Sequence, residues 1–255
     1  MTVLISQDAI DLIVEQEVSN RKAYEKIYCR PTWPGGQSGI TIGIGYDIGA
    51  GIKDKKDLWD DWKGIIPDEV ITALEPCIGV TGLEAKEFLD DLKIINIPWD
   101  DAMKEFLDNE LPEVYDLCGQ ALPNFLKLSL DCKGALVSLV YNRGASFNNE
   151  GDRYREMRNI KADMTAQNFV DIPVQFRSMK RLWENKGLDG LISRREKEAA
   201  LFERGLMAMQ TIPTRSIPAP TQPEISHPSP GKPPTNWLQS LIEFISRILS
   251  GFRRG

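Results

Sequence analysis

Glu17, Thr41 and Asp47 combine the side-chain types and the setting that acid–base chemistry requires. Ile10, Ile13, Val14, Glu17 and Val18 share one helical face, because steps of three, four, seven and eight residues return to nearly the same direction. Glu17 thus sits on an apolar stripe, while Glu15 points away. A carboxyl beside apolar groups pays desolvation in its charged form, the condition a general acid exploits. The structural alternative is a helix-end glutamate that snorkels to water or holds an arginine.

The second and third residues belong to the run WPGGQSGITIGIGYDIGAG at positions 33 to 51. Ile40, Ile42, Ile44 and Tyr46 alternate with Thr41, Gly43, Gly45 and Asp47, so one face of a short strand or hairpin is apolar and the other nearly bare. A bare glycine face lets a bulky ligand approach the backbone. Thr41 can orient a water and Asp47 can take its proton. Fully extended, the six steps between them would span roughly 20 Å, so one shared site requires the chain to curl at Gly43 or Gly45.

Other chemistries find little support. The single histidine, His227, lies in a proline-rich stretch, which leaves no positioned imidazole for a Ser-His-Asp triad, a Cys-His pair or a histidine-bound zinc. Cys29, Cys77, Cys118 and Cys132 are widely spaced, without a C-x-x-C pair, and are expected to be free thiols. No metal and no cofactor are expected. Of the net charge of −6, the segment from Thr211 holds five cations (Arg215, Lys232, Arg247, Arg253, Arg254) against Glu224 and Glu243, leaving an acidic body with about −9. An acidic body argues against nucleic acid as partner.

The elements that must position these residues are mainly helical. Helical periodicity predicts helices over 6–19, 67–74, 81–92, 99–116, 128–142, a pair around 165–183, and 193–209. Residues 1–210 form the expected globular domain, 211–235 a proline-rich, semi-rigid linker, and 236–255 an amphipathic basic helix. That last helix has the character to lie on an anionic membrane surface, dock into a partner groove or fold back on its own domain. The N-terminus lacks the basic and apolar regions of a secretory signal, so synthesis in the cytosol is expected.

Glu17-Val18-Ser19, followed by Pro31-Thr32-Trp33-Pro34-Gly35-Gly36 and Ser38-Gly39-Ile40-Thr41-Ile42-Gly43-Ile44-Gly45-Tyr46-Asp47, resembles the N-terminal lobe of phage-type lysozymes, and more closely the pesticin-like muramidases. Cys132 through Gly144 is similar to their central buried helix and Gly190 through Phe202 to their closing helix. The resemblance spans roughly residues 6–206. It implies a mainly α (α+β), two-lobed lysozyme-like fold and a monomer that hydrolyses the β-1,4 bond between N-acetylmuramic acid and N-acetylglucosamine in bacterial peptidoglycan. It also implies an action in the periplasm or cell wall, after delivery by a phage holin or a secretion machine. Glu17 would be the general acid, Thr41 the water-positioning residue and Asp47 the aspartate, since no Asp or Glu lies between Lys26 and Thr41, where ordinary phage lysozymes carry it. Arg194 would approach Glu17 across the cleft. Tyr46, Asn142 and Arg194 would contact substrate, with a helix C-terminal cap the alternative for Asn142 and Arg143, and a surface position the alternative for Arg194. A lytic transglycosylase, and a non-catalytic wall-binding or envelope-disrupting protein acting through its last helix, are the competing readings.

Overall fold

In a computed structural model the chain divides into two units, Met1–Pro213 and Thr214–Gly255, and the structure describes residues 3–211. The expected linker and basic helix lie outside those residues. What is described is mainly helical, with one two-stranded antiparallel sheet, as expected. No described helix is long and apolar enough to cross a membrane.

The N-terminal helix Gln7–Val18 starts where the Ser6 hydroxyl accepts from Ala9 N, and Ser19 ends it with φ of 65°. Its buried face of Ala9, Leu12, Ile13 and Val14 packs on the central helix Leu130–Arg143. The approach is close: a Cβ on Gly134 would fall 2.1 Å from Ala9 Cβ, so only glycine permits it. Positions 134–140 of the central helix are all buried. The closing helix Asp189–Thr211 covers the same core, with Ala199 and Phe202 fully buried. Cys29, Cys77, Cys118 and Cys132 are buried free thiols.

Several expectations change. The helix expected over 81–92 divides into Gly82–Glu87 and Leu89–Leu92. The one expected over 99–116 runs on through Trp99–Glu105, a π-helical turn Phe106–Glu110 and Leu111–Ala121. Instead of a pair around 165–183, helices occupy Arg155–Ala166 and Ile172–Ser178, followed by a 3₁₀ turn Met179–Leu182. A helix Lys55–Trp62 also lies in a segment not expected to be helical. Its sequence KKDLWDDW buries Leu58 and Trp62 and packs the half-buried Trp59 against the core, too few apolar positions to display a period.

The sheet joins β1, Thr41–Ile42, to β2, Tyr46–Asp47, with Thr41 opposite Asp47 and Ile42 opposite Tyr46. Gly43 and Gly45, at φ of 57° and 93°, make the turn between them. Ile40, Ile42, Ile44, Tyr46 and Ile48 are buried, so the apolar face of the hairpin is anchored in the core. Thr32 exchanges backbone hydrogen bonds with Thr41 at 2.8 and 2.9 Å, which extends the pairing by one bridge.

Candidate active site

The curl between Thr41 and Asp47 is a tight one. Direct opposition across an antiparallel pair brings Cα atoms to about 4.5–5.5 Å, which replaces the extended separation and sets both side chains on the bare face. Glu17, Thr41, Asp47 and Asn142 all line one cleft of about 780 Å³, together with Thr32, Trp33, Gly43, Gly45, Glu110 and Tyr141.

Glu17 reaches the cleft from the last turn of the N-terminal helix, its side chain 22% exposed. Oε1 accepts a 2.7 Å hydrogen bond from Arg194 Nη1. Oε2 lies against the hairpin turn, since a Cβ on Gly45 would fall 3.2 Å from it. Glycine at this position therefore serves two needs, the positive φ and the passage of the carboxyl beneath the turn.

Arg194 is itself only 2% exposed. It donates to Ser138 O at 3.0 Å and to Glu198 Oε1 at 3.3 Å, and Arg195 donates to the same Glu198 oxygen at 2.7 Å. Two guanidinium groups and two carboxyls thus meet behind the cleft. Arg194 does not line it, so the place expected for a substrate contact is taken by a fixed counter-ion of Glu17.

Asp47 is held by the loop that follows it. Oδ1 accepts from Gly49 N at 2.9 Å, Ala50 N at 3.0 Å and Gly39 N at 3.2 Å, while Oδ2 shares only the Gly39 donor, also at 3.2 Å. A Cβ on Gly39 would collide with that carboxylate at 2.5 Å. The arrangement fixes the carboxyl rigidly and leaves Oδ2 the less engaged oxygen.

Tyr46 is the clearest departure from expectation. It is 4% exposed, its ring meets Trp62 edge-on at 5.5 Å, and its hydroxyl donates to Asp61 Oδ2 at 2.7 Å. The period-two pattern that sets Asp47 on the bare face sets Tyr46 on the core face, so it supports the hairpin from behind. Arg143 also turns from the cleft: it stacks over Trp183 at 5.2 Å and donates to Arg153 O at 2.9 Å. Asn142 lines the cleft, one residue before the helix end, and Gly144 at φ of 66° makes the C-terminal stop.

Sequence reasoning passed over Glu110, which ends the π-helical turn and lines the cleft. Its Oε2 stands 2.5 Å from Tyr141 Oη, which also stands 2.6 Å from Ile44 O at the centre of the hairpin turn. Burial pushes the Glu110 carboxyl up to about 8; the Tyr141 contact opposes this and the Glu17 and Asp61 charges add to it. Behind it Glu105 is wholly buried with no hydrogen-bond partner for either oxygen. Burial, with Glu110 and Asp61 nearby, pushes Glu105 up to about 10. Asp61 is likewise raised, chiefly by burial, against the lowering effect of the Tyr46 hydrogen bond. A π-turn shifts the helical period by one residue, which is why the stripe rule did not find Glu110.

Among the described residues no group of three or more His, Cys, Asp or Glu is placed to hold a metal ion. A family model described as a domain of unknown function (DUF8812) matches residues 14–113, a stretch that contains Glu17, Thr41, Asp47 and Glu110. No curated protein matches the chain.

Proposed function

We propose that this chain is a peptidoglycan hydrolase, a muramidase of lysozyme-like two-lobed fold. The observation that carries the reading is the sharing of one cleft by Glu17, Thr41 and Asp47 over a hairpin face stripped to glycine. The resemblance of the surrounding motifs to pesticin-like muramidases supports it.

In this mechanism Glu17 gives its proton to the oxygen that leaves C1 of N-acetylmuramic acid as the C–O bond breaks. A water held by Thr41 adds its oxygen to the same carbon, and Asp47 takes the proton that water releases. Arg194 keeps its bond to Oε1 throughout, which leaves Oε2, beneath Gly45, as the oxygen that exchanges the proton. Addition of water from the face opposite the leaving group inverts the anomeric centre.

One observation favours a second reading, a lytic transglycosylase, in which Glu17 works alone and the muramic C6 hydroxyl displaces the leaving sugar. Three backbone amides already engage Asp47 Oδ1, which leaves that oxygen little room to accept a hydrogen from water. Mass spectrometry of digested wall separates the two: hydrolysis leaves reducing muramic acid ends, transglycosylation leaves 1,6-anhydro ends. A third possibility, a non-catalytic protein acting through its last segment, is tested by removing residues 211–255. A muramidase keeps its action on exposed peptidoglycan after that truncation; a protein that acts only through the segment loses all effect.

A further inference from the structure

Tyr141 presents a hydrogen-accounting problem whose solution bears on the cleft. Its phenolic oxygen stands 2.6 Å from Ile44 O and 2.5 Å from Glu110 Oε2, and both separations are those of made hydrogen bonds. A phenol carries one hydrogen, and a backbone carbonyl can only accept. If Tyr141 donated to an ionised Glu110, its oxygen would face the Ile44 carbonyl with no hydrogen between, two lone pairs in repulsive contact. If Tyr141 donates to Ile44 O, the hydrogen in the second contact must come from Glu110.

We propose that Glu110 is held as the neutral carboxylic acid, donating to Tyr141 Oη so that Tyr141 can donate to Ile44 O and clamp the glycine turn over Glu17. Glu110 is then a positioning residue. It acts through Tyr141 on the Gly43–Gly45 turn, and that turn lies against Glu17 Oε2.

The charges around Glu110 agree with this assignment. Glu17 faces it from the N-terminal helix, Asp61 from the helix Lys55–Trp62, Glu113 from the helix that follows it and Glu105 from the one that precedes it; Tyr141 faces it from the central helix. All four carboxyl neighbours are acidic, those of Glu17, Asp61 and Glu113 add negative charge, and burial works in the same direction, so the proton is retained well above the usual carboxylate range.

Removal of the proton reverses the clamp. A carboxylate is a stronger acceptor than a carbonyl, so the Tyr141 hydrogen turns from Ile44 to Glu110, the turn loses its tether and a further negative charge enters the cleft beside Glu17. The consequence for catalysis rests on the muramidase reading; the protonation state does not.

Infrared spectroscopy of the full-length protein, with Glu110→Gln, tests the protonation state directly. At pH 6 the wild type is expected to show a protonated-carboxyl carbonyl band that Glu110→Gln lacks, and the wild type keeps that band to about pH 8 or beyond, because donation to Tyr141 favours the neutral acid. Identical carboxyl regions in the two proteins at pH 6 would overturn the assignment. In Tyr141→Phe the acid loses its acceptor, so the band persists and moves; an unmoved band also overturns it, and this variant serves if Glu110→Gln does not fold. Wall clearing, normalised to each protein's own maximum, tests the clamp. The glutamine amide donates at every pH, so the alkaline limb expected of the wild type at or above about pH 8 should shift upward or vanish, and an unchanged limb would sever Glu110 from the site. A wild type that clears no wall at any pH contradicts the muramidase reading, and the infrared band then decides the protonation state alone.

Discussion

Behind Glu17, Arg194 and Arg195 meet Glu198 and Ser138 in a network of two cations and two carboxyls, whereas beneath the hairpin Asp61, Glu105 and Glu110 gather with Tyr46 and Tyr141 and no described cation. One side neutralises buried acids with guanidinium groups, the other, at Glu105 and Glu110, by keeping protons. The first device holds its groups in hydrogen-bonded pairs, and removal of a partner leaves a charge stranded. The second tolerates removal of a carboxyl but depends on pH. Glu17 lies where the two meet, tied to a cation on one oxygen and placed under a turn that the acidic side supports.

The comparison is broken most severely through Glu17 itself. Glu17→Gln should lower the rate of wall clearing by about 10²–10⁴-fold, the range a general acid contributes, with the melting profile retained; turbidity of a wall suspension measures it. Next, Arg194→Ala removes one cation from the buried network and should cost about 3–5 kcal/mol of stability, as the loss of one partner of a buried pair does. Urea unfolding checks this, and a loss below about 1 kcal/mol, as for a surface pair, would mean that the network is solvated. Gly45→Ala adds a Cβ at φ of 93° and 3.2 Å from Glu17 Oε2. It should cost about 1–3 kcal/mol in backbone strain and reduce activity more than stability, since the displaced group is the proposed acid.

The acidic side sharpens the contrast with a smaller effect of opposite sign. Glu105 has two unpartnered oxygens, so Glu105→Leu should be neutral or stabilising, by about 1–3 kcal/mol of relieved desolvation. Between pH 4.5 and about 10 the unfolded chain has released the Glu105 proton and the folded chain keeps it, so wild-type stability falls as pH rises through that window. The advantage of Glu105→Gln over the wild type should therefore grow from pH 5 to pH 9, in a series of urea titrations. An advantage that shrinks would show that Glu105 is ionised in the fold.

How much of this was legible in the chain depends on the regularity of each element. The hairpin was, because strict alternation over Ile40–Asp47 sorts bare and apolar faces without any tertiary information. The placement of Glu17 on an apolar stripe was as well, because Gln7–Val18 is a regular helix. Tyr46 belongs by the same alternation to the core, and its expected contact with substrate gave that pattern too little weight. The Arg194–Glu17 pair joins residues 177 positions apart, so nothing local announces it, and only the resemblance of the surrounding motifs brought Arg194 towards Glu17. Glu110 escaped notice because the π-turn breaks the helical period where the chain passes the cleft, and its partners, Tyr141 and Ile44 O, come from distant segments. The curl that one shared site requires of Thr41 and Asp47 is made where the glycines allowed it, Gly43 and Gly45 folding the strand back on itself with positive φ.

The most direct test of the account is mass spectrometry of the fragments released from purified peptidoglycan by the wild type and by Glu17→Gln, in water enriched in the heavy oxygen isotope. The account predicts that the wild type releases disaccharide-peptides with muramic acid reducing ends labelled at C1, and that folded Glu17→Gln releases almost none. Labelled fragments released equally by both proteins would contradict it.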